Sequence, residues 1–114
     1  MKRPEAHNYP AAHSYLSLIY PEVMAADFVK KLRKAPVTEF KAKDIFRASR
    51  LSLLGVSNVH VEKDRKKIKK QTPLSPILLV RDAGNEKVVI ADGYHRMCAA
   101  YAFDEDSVVP CKIV

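Results

Sequence analysis

Only three glycines occur in 114 residues, at positions 55, 84 and 93, and tryptophan is absent. Cysteine occurs twice, as Cys98 and Cys111, with no Cys-x-x-Cys spacing and no clustering with histidine. That pattern excludes a disulfide-dense scaffold and a zinc ribbon, so both cysteines read as small buried hydrophobes. His7, His13 and His60 fall at no spacing that suggests zinc, and no metal site is expected. No apolar run approaches the roughly 20 residues that a membrane-spanning helix needs. After Lys2-Arg3 the chain carries Pro4, Glu5, His7, Pro10 and His13 where a secretory leader would have an apolar core. A cytoplasmic location without a membrane partner is therefore expected.

What is present suffices for one modest core, since 47% of the residues are hydrophobic. No internal repeat or low-complexity tract interrupts the chain. Near the N-terminus Tyr15, Leu16, Leu18 and Ile19 form one apolar group. Pro21 then reads as the first position of a second helix, in which Val23, Met24, Phe28, Val29 and Leu32 recur at helical spacing until Pro36 stops it. These two helices are expected to pack on a sheet or to mediate self-association. Arg47 to Asn58 reads as a partly buried connection, because Ser52 and Ser57-Asn58 break its apolar pattern. Ile77-Leu78-Leu79-Val80 is continuously apolar and predicts a central strand covered on both faces. Arg81 to Glu86 supplies a turn, and Lys87 to Ala91 returns as a second strand. A single domain of α/β (α+β) class follows.

The densest information lies in residues 88 to 101. Val88-Val89-Ile90 are β-branched, Asp92-Gly93 is a turn dipeptide, and Met97-Cys98-Ala99-Ala100-Tyr101 is an apolar run without Pro or Gly. A strand therefore gives way to a helix at Gly93. A helix opening there aims unpaired N–H groups and its positive dipole end over the turn, which makes an anion site. Gly93, Tyr94, His95 and Arg96 are the candidate ligand-binding residues, with Tyr94, His95 and Arg96 expected to be exposed around the helix mouth and Cys98 buried. Arg96 would supply a planar cation for phosphate and His95 a second donor. Asp92 and His95 are the ionisable groups inside the motif and hence its catalytic candidates, although Asp92 also fits a helix-capping turn residue.

Read in register, Asp92-Gly93-Tyr94-His95-Arg96-Met97-Cys98-Ala99-Ala100, followed by Val108-Val109-Pro110-Cys111-Lys112-Ile113-Val114, resembles the signature of the ParB/sulfiredoxin superfamily. ParB-type domains have Gly-Glu-Arg-Arg at this turn, and sulfiredoxins have Gly-Cys-His-Arg. The resemblance covers roughly residues 38 to 114. It implies a ParB/sulfiredoxin-like domain with a small mixed sheet there; residues 1 to 37, which it does not explain, read as an added helical extension packed on the same domain. It also implies a strand region over Phe40 to Arg47, a short helix over Asp64 to Gln71 and a strand over Leu74 to Val80. In ParB-type domains the turn binds nucleotide phosphates, which implies a nucleotide here, with magnesium as its companion ion. Tyr94 stands where sulfiredoxins carry their nucleophilic Cys, and a phenol with a reference pKa of about 10 does not take over that chemistry. The superfamily also contains kinases and nucleases, which keeps a nucleotide-dependent enzyme as an alternative.

Charge supplies the competing reading. Between Lys30 and Lys70 there are 14 Lys/Arg against 4 Asp/Glu, whereas Gln71 to Val114 holds 4 against 6. The net charge of +7 therefore resides in the middle of the chain. Arg65, Lys66, Lys67, Lys69 and Lys70, joined by Arg47 and Arg50 three residues apart, would form a positive face for nucleic acid. The acidic run Asp104-Glu105-Asp106 reads as a solvated loop, with a metal-recruiting loop as its alternative.

Overall fold

Alternation along the strands dictates the layers. A computed structural model describes residues 4–51, 64 and 74–114. In chain order these residues form α1 (Asn8–Leu16), α2 (Glu22–Lys34), β1 (Thr38–Lys41), α3 (Ala42–Ser49), β2 (Ile77–Asp82), β3 (Lys87–Asp92), α4 (Tyr94–Phe103) and β4 (Val108–Ile113). The four strands make one sheet in the order β1-β4-β2-β3. β1 pairs antiparallel with β4, β4 parallel with β2, and β2 antiparallel with β3. The protein is an α+β structure with a mixed sheet.

β2 lies between β4 and β3, and its residues Ile77 to Val80 are all buried, as the continuous apolar run predicts. Because successive side chains alternate, Ile77 and Leu79 join Ile90, Val109 and Cys111 on the face covered by α3 and α4. Leu78 and Val80 join Val89 and Ala91 on the opposite face, covered by α1 and α2. The N-terminal helices thus form one of three layers. A 3₁₀ turn over Ala83–Asn85 joins β2 to β3. Pro110, which has no N–H for a ladder, sits in β4 one residue before parallel pairing with β2 begins at Cys111.

Three expectations need correction. Phe40 to Arg47 is mostly helix: β1 ends at Lys41, and Ala42 and Ile45 then point into the core from α3. The loop after α4 starts this helix, because Glu105 and Ser107 carbonyls accept the N–H groups of Lys43 and Ala42. Pro21 is the cap of α2 and not its first residue. The apolar stripe of α2 is only partly core, since Ala25, Val29 and Leu32 face the sheet at i, i+4, i+7 while Val23 is 82% exposed. The expected helix over Asp64 to Gln71 and most of the 47–58 connection lie outside the described residues.

The N-terminal layer is fastened by Lys112, a buried ammonium on β4. Its Nζ donates to the Tyr9 hydroxyl at 3.0 Å and to the Arg33 carbonyl at 3.1 Å. The Arg33 carbonyl belongs to the last turn of α2, where backbone acceptors lack helical partners and the dipole favours a cation. The Arg33 guanidinium in turn lies over the Tyr9 ring, 4.4 Å from its centroid. Tyr9→Phe should therefore cost about 1–3 kcal/mol in urea denaturation, because a buried charged donor loses an acceptor. Leu18→Ala, at a side chain 85% exposed, should stay within about 0.5 kcal/mol of the parent.

Candidate functional site

The strand-to-helix switch falls where the sequence places it. Gly93 caps α4 at φ 103°, ψ 18°, a left-handed conformation that strains any residue with a Cβ. A Cβ here would also lie 2.8 Å from Arg96 Nη2 and 3.0 Å from Ile77 Cγ1. Glycine is thus required by conformation and by space. Gly93 offers no side-chain acceptor to the first turn of α4, whose helical bonding starts with the Met97 N–H on the Gly93 carbonyl at 3.0 Å. The positive end of the helix is left for something else to satisfy.

Arg96 is not exposed around the mouth, contrary to expectation. Its side chain is 17% exposed and folds beneath the turn, where Nη2 donates to Asp92 Oδ2 at 3.0 Å and to the Pro76 carbonyl at 3.3 Å. The reason is electrostatic: a cation in the first turn of a helix opposes the dipole, and the carboxylate four residues earlier draws it away. Its Nε is buried without a hydrogen-bond partner among the described residues. Asp92 and Arg96 cancel each other's charge, so the field at the mouth comes mainly from the helix. Asp92 is accordingly a partner of Arg96 and not a side-chain cap of α4.

Tyr94 and His95 are half-buried, not freely exposed, with ring centroids 6.1 Å apart. Burial raises the Tyr94 phenol above its ordinary pKa, and the neighbouring Cys98 thiol, which shares a hydrogen bond with it, adds to the rise. Tyr94 therefore stays a neutral phenol at neutral pH. Cys98 is buried as expected, and so is Cys111, whose thiol is pushed up to about 12 by burial. Neither thiol is placed for nucleophilic work.

Asp92, Gly93, Tyr94 and His95 open onto a cleft of about 470 Å³ whose other lining residues are Ala11, Tyr15, Leu51, Ile90 and Ala91. The sequence does not single out Ala11, Tyr15 or Leu51 as site residues. No local pattern assigns them to a cleft, because α1 and the residue beyond the cap of α3 reach it only through tertiary packing. Of the basic residues proposed for nucleic acid, Arg65, Lys66, Lys67, Lys69 and Lys70 lie outside the described residues. Arg47 is exposed on the last turn of α3, while Arg50 leaves the helix at φ 57° and its Nη2 lies 3.7 Å from Glu86 Oε2. The two arginines therefore do not share a helical turn. In the acidic loop, Asp106 pairs with Lys43 at 2.7 Å, and that ion pair lowers its carboxyl pKa. Among the described residues no group of three or more His, Cys, Asp or Glu is gathered to hold a metal, and no helix is long and apolar enough to cross a membrane.

No protein-family model, curated protein or solved structure matches the chain.

Two outcomes are expected from this geometry. Gly93→Ala should lower stability by about 1–3 kcal/mol, read by thermal or urea unfolding, as a strained φ and a crowded Cβ combine. Iodoacetamide at pH 8 should leave Cys98 and Cys111 unmodified in the folded protein and alkylate both in guanidinium, with mass spectrometry as the readout.

Proposed function

We propose that the chain binds a phosphate-bearing ligand, a nucleotide, in the cleft at the N-terminus of α4. The observation that carries this reading is the glycine-capped helix mouth opening onto a cleft of about 470 Å³. Such a volume falls within the range of small-molecule sites. Backbone N–H groups of the first turn of α4 would hold phosphate oxygens, and the His95 side chain at the cleft would add a donor. Arg96 takes a different role from the one its sequence position suggests. It shapes the turn from below, bound to Asp92 and Pro76, and presents no free charge to the ligand. The resemblance of Gly93 to Arg96 to the phosphate-binding turn of ParB-type domains supports the same reading. The chain gathers no metal cage among its described residues, so magnesium enters only as the ion that accompanies a nucleotide's phosphates.

The test is a thermal-shift titration of the intact chain with nucleoside triphosphates and inorganic pyrophosphate, each with and without magnesium. A ligand at 100 times its Kd stabilises the native state by about 2.7 kcal/mol, which raises Tm by several degrees. His95→Ala should weaken binding about tenfold, as expected for one lost bond to a charged oxygen. An unchanged Tm with every phosphate compound would overturn the proposal.

A further inference from the structure

We infer that Tyr15, on α1, is the stacking platform for the planar base of a nucleoside phosphate, so that the N-terminal helices form part of the binding site. The inference rests on the phosphate reading of the α4 mouth and adds the part of the ligand that lies beyond the phosphate. Tyr15 and Ala11 are one helical turn apart on α1, and both line the cleft that Gly93 and His95 also line. The remaining lining is apolar at Leu51, Ile90 and Ala91, with Asp92 and Tyr94 as its polar members. An apolar wall with few polar partners suits the faces of a heterocyclic base and disfavours a hydroxyl-rich sugar, whose groups would lose water without replacement bonds.

The two tyrosines of α1 that bracket its buried face behave differently. Tyr9 is buried and used, with Lys112 on its hydroxyl and Arg33 on its ring. Tyr15 is 41% exposed, and among the described residues its hydroxyl makes no hydrogen bond and its ring no ring contact. Its ring is therefore available, at the edge of a cleft larger than a lone phosphate needs. An aromatic face accepts any base by stacking, which predicts modest discrimination among bases and strong discrimination against ligands without one.

The experiment is calorimetry of the intact chain with inorganic pyrophosphate, ribose 5-phosphate and each of the four ribonucleoside triphosphates, for the parent, Tyr15→Ala, Tyr15→Phe and Tyr15→Leu. The parent should bind the triphosphates at least tenfold more tightly than ribose 5-phosphate. Tyr15→Ala should lose about tenfold of the triphosphate affinity and leave pyrophosphate binding unchanged. Tyr15→Phe should retain the parent affinity, while Tyr15→Leu, which keeps apolar bulk without a π face, should behave like Tyr15→Ala. Circular-dichroism melts of all three verify folding, and Tyr15→Leu keeps the test open if alanine unfolds α1. Triphosphate affinity unchanged in both Tyr15→Ala and Tyr15→Leu would overturn the inference and leave the phosphate site standing. Equal parent affinity for pyrophosphate and the triphosphates would also overturn it. Failure of every phosphate compound to bind the parent would overturn the underlying reading as well.

Discussion

The Arg96 guanidinium beneath the Gly93 turn is the contact on which the geometry of the α4 mouth depends. It joins three pieces of chain that are distant in sequence or direction: the end of β3 through Asp92, the approach to β2 through the Pro76 carbonyl, and α4 itself. A side chain at position 93 would occupy the space this guanidinium fills, so the glycine and the arginine require each other. The pairing also resolves an electrostatic conflict. A cation in the first turn of a helix is unfavourable alone, and a carboxylate just before the helix would repel an anionic ligand alone. Paired, they leave the helix mouth with its dipole and without a net side-chain charge. Under the proposed reading, such an arginine shapes the phosphate site without touching the phosphate.

The sheet depends on a different balance. With helices on both faces, β2 and β3 bury alternate residues into two separate cores, and each strand is committed by its pattern to both. One face would remain uncovered without α1 and α2. Their attachment is partly polar, through Lys112, which carries an ammonium into a layer made mainly of Leu, Val and Ala together with Tyr9. The cost of burying that charge is offset by an α2 carbonyl, a phenol and the favourable end of the α2 dipole. The same docking sets α1 beside β3, and that placement brings Ala11 and Tyr15 to the cleft.

Much of this was legible in the chain because local chemistry and tertiary structure agree there. The apolar run at Ile77 to Val80, the β-branched run into Asp92-Gly93 and the Pro-bounded second helix each specify one conformation without help. Readings that failed did so where a distant partner decides. Residues 42 to 47 read as strand from their resemblance, yet Ala42, Ile45 and Ser49 recur at helical spacing on the buried side of α3. Carbonyls of Glu105 and Ser107, some sixty residues on, satisfy the start of that helix. An exposed Arg96 assigned to phosphate leaves out Asp92 four residues earlier, which draws the guanidinium beneath the turn instead. Tyr15 reads from the sequence only as part of an apolar group, and the docking of α1 beside β3 is what places it at the cleft.

The distribution of charge bears on what the cleft can attract. Among the described residues its lining holds one carboxylate, Asp92, paired with Arg96, and no lysine or arginine. A ligand is therefore not selected there by opposite side-chain charge, as it would be on a lysine-rich face. Under the proposed reading, selection would fall to directed backbone donors, which favour a compact anion such as phosphate, and to the aromatic and apolar lining, which favours a flat uncharged group beside it. The strong net charge of +7 acts at longer range, drawing polyanions toward the molecule in a way that salt screens. Those contributions separate by ionic strength: attraction by the overall charge weakens as salt rises, whereas recognition within the partly enclosed cleft depends on it far less. Under the proposed reading, a phosphate compound held by α4 and Tyr15 would be set apart from one held by bulk electrostatics by the weaker salt dependence of its binding.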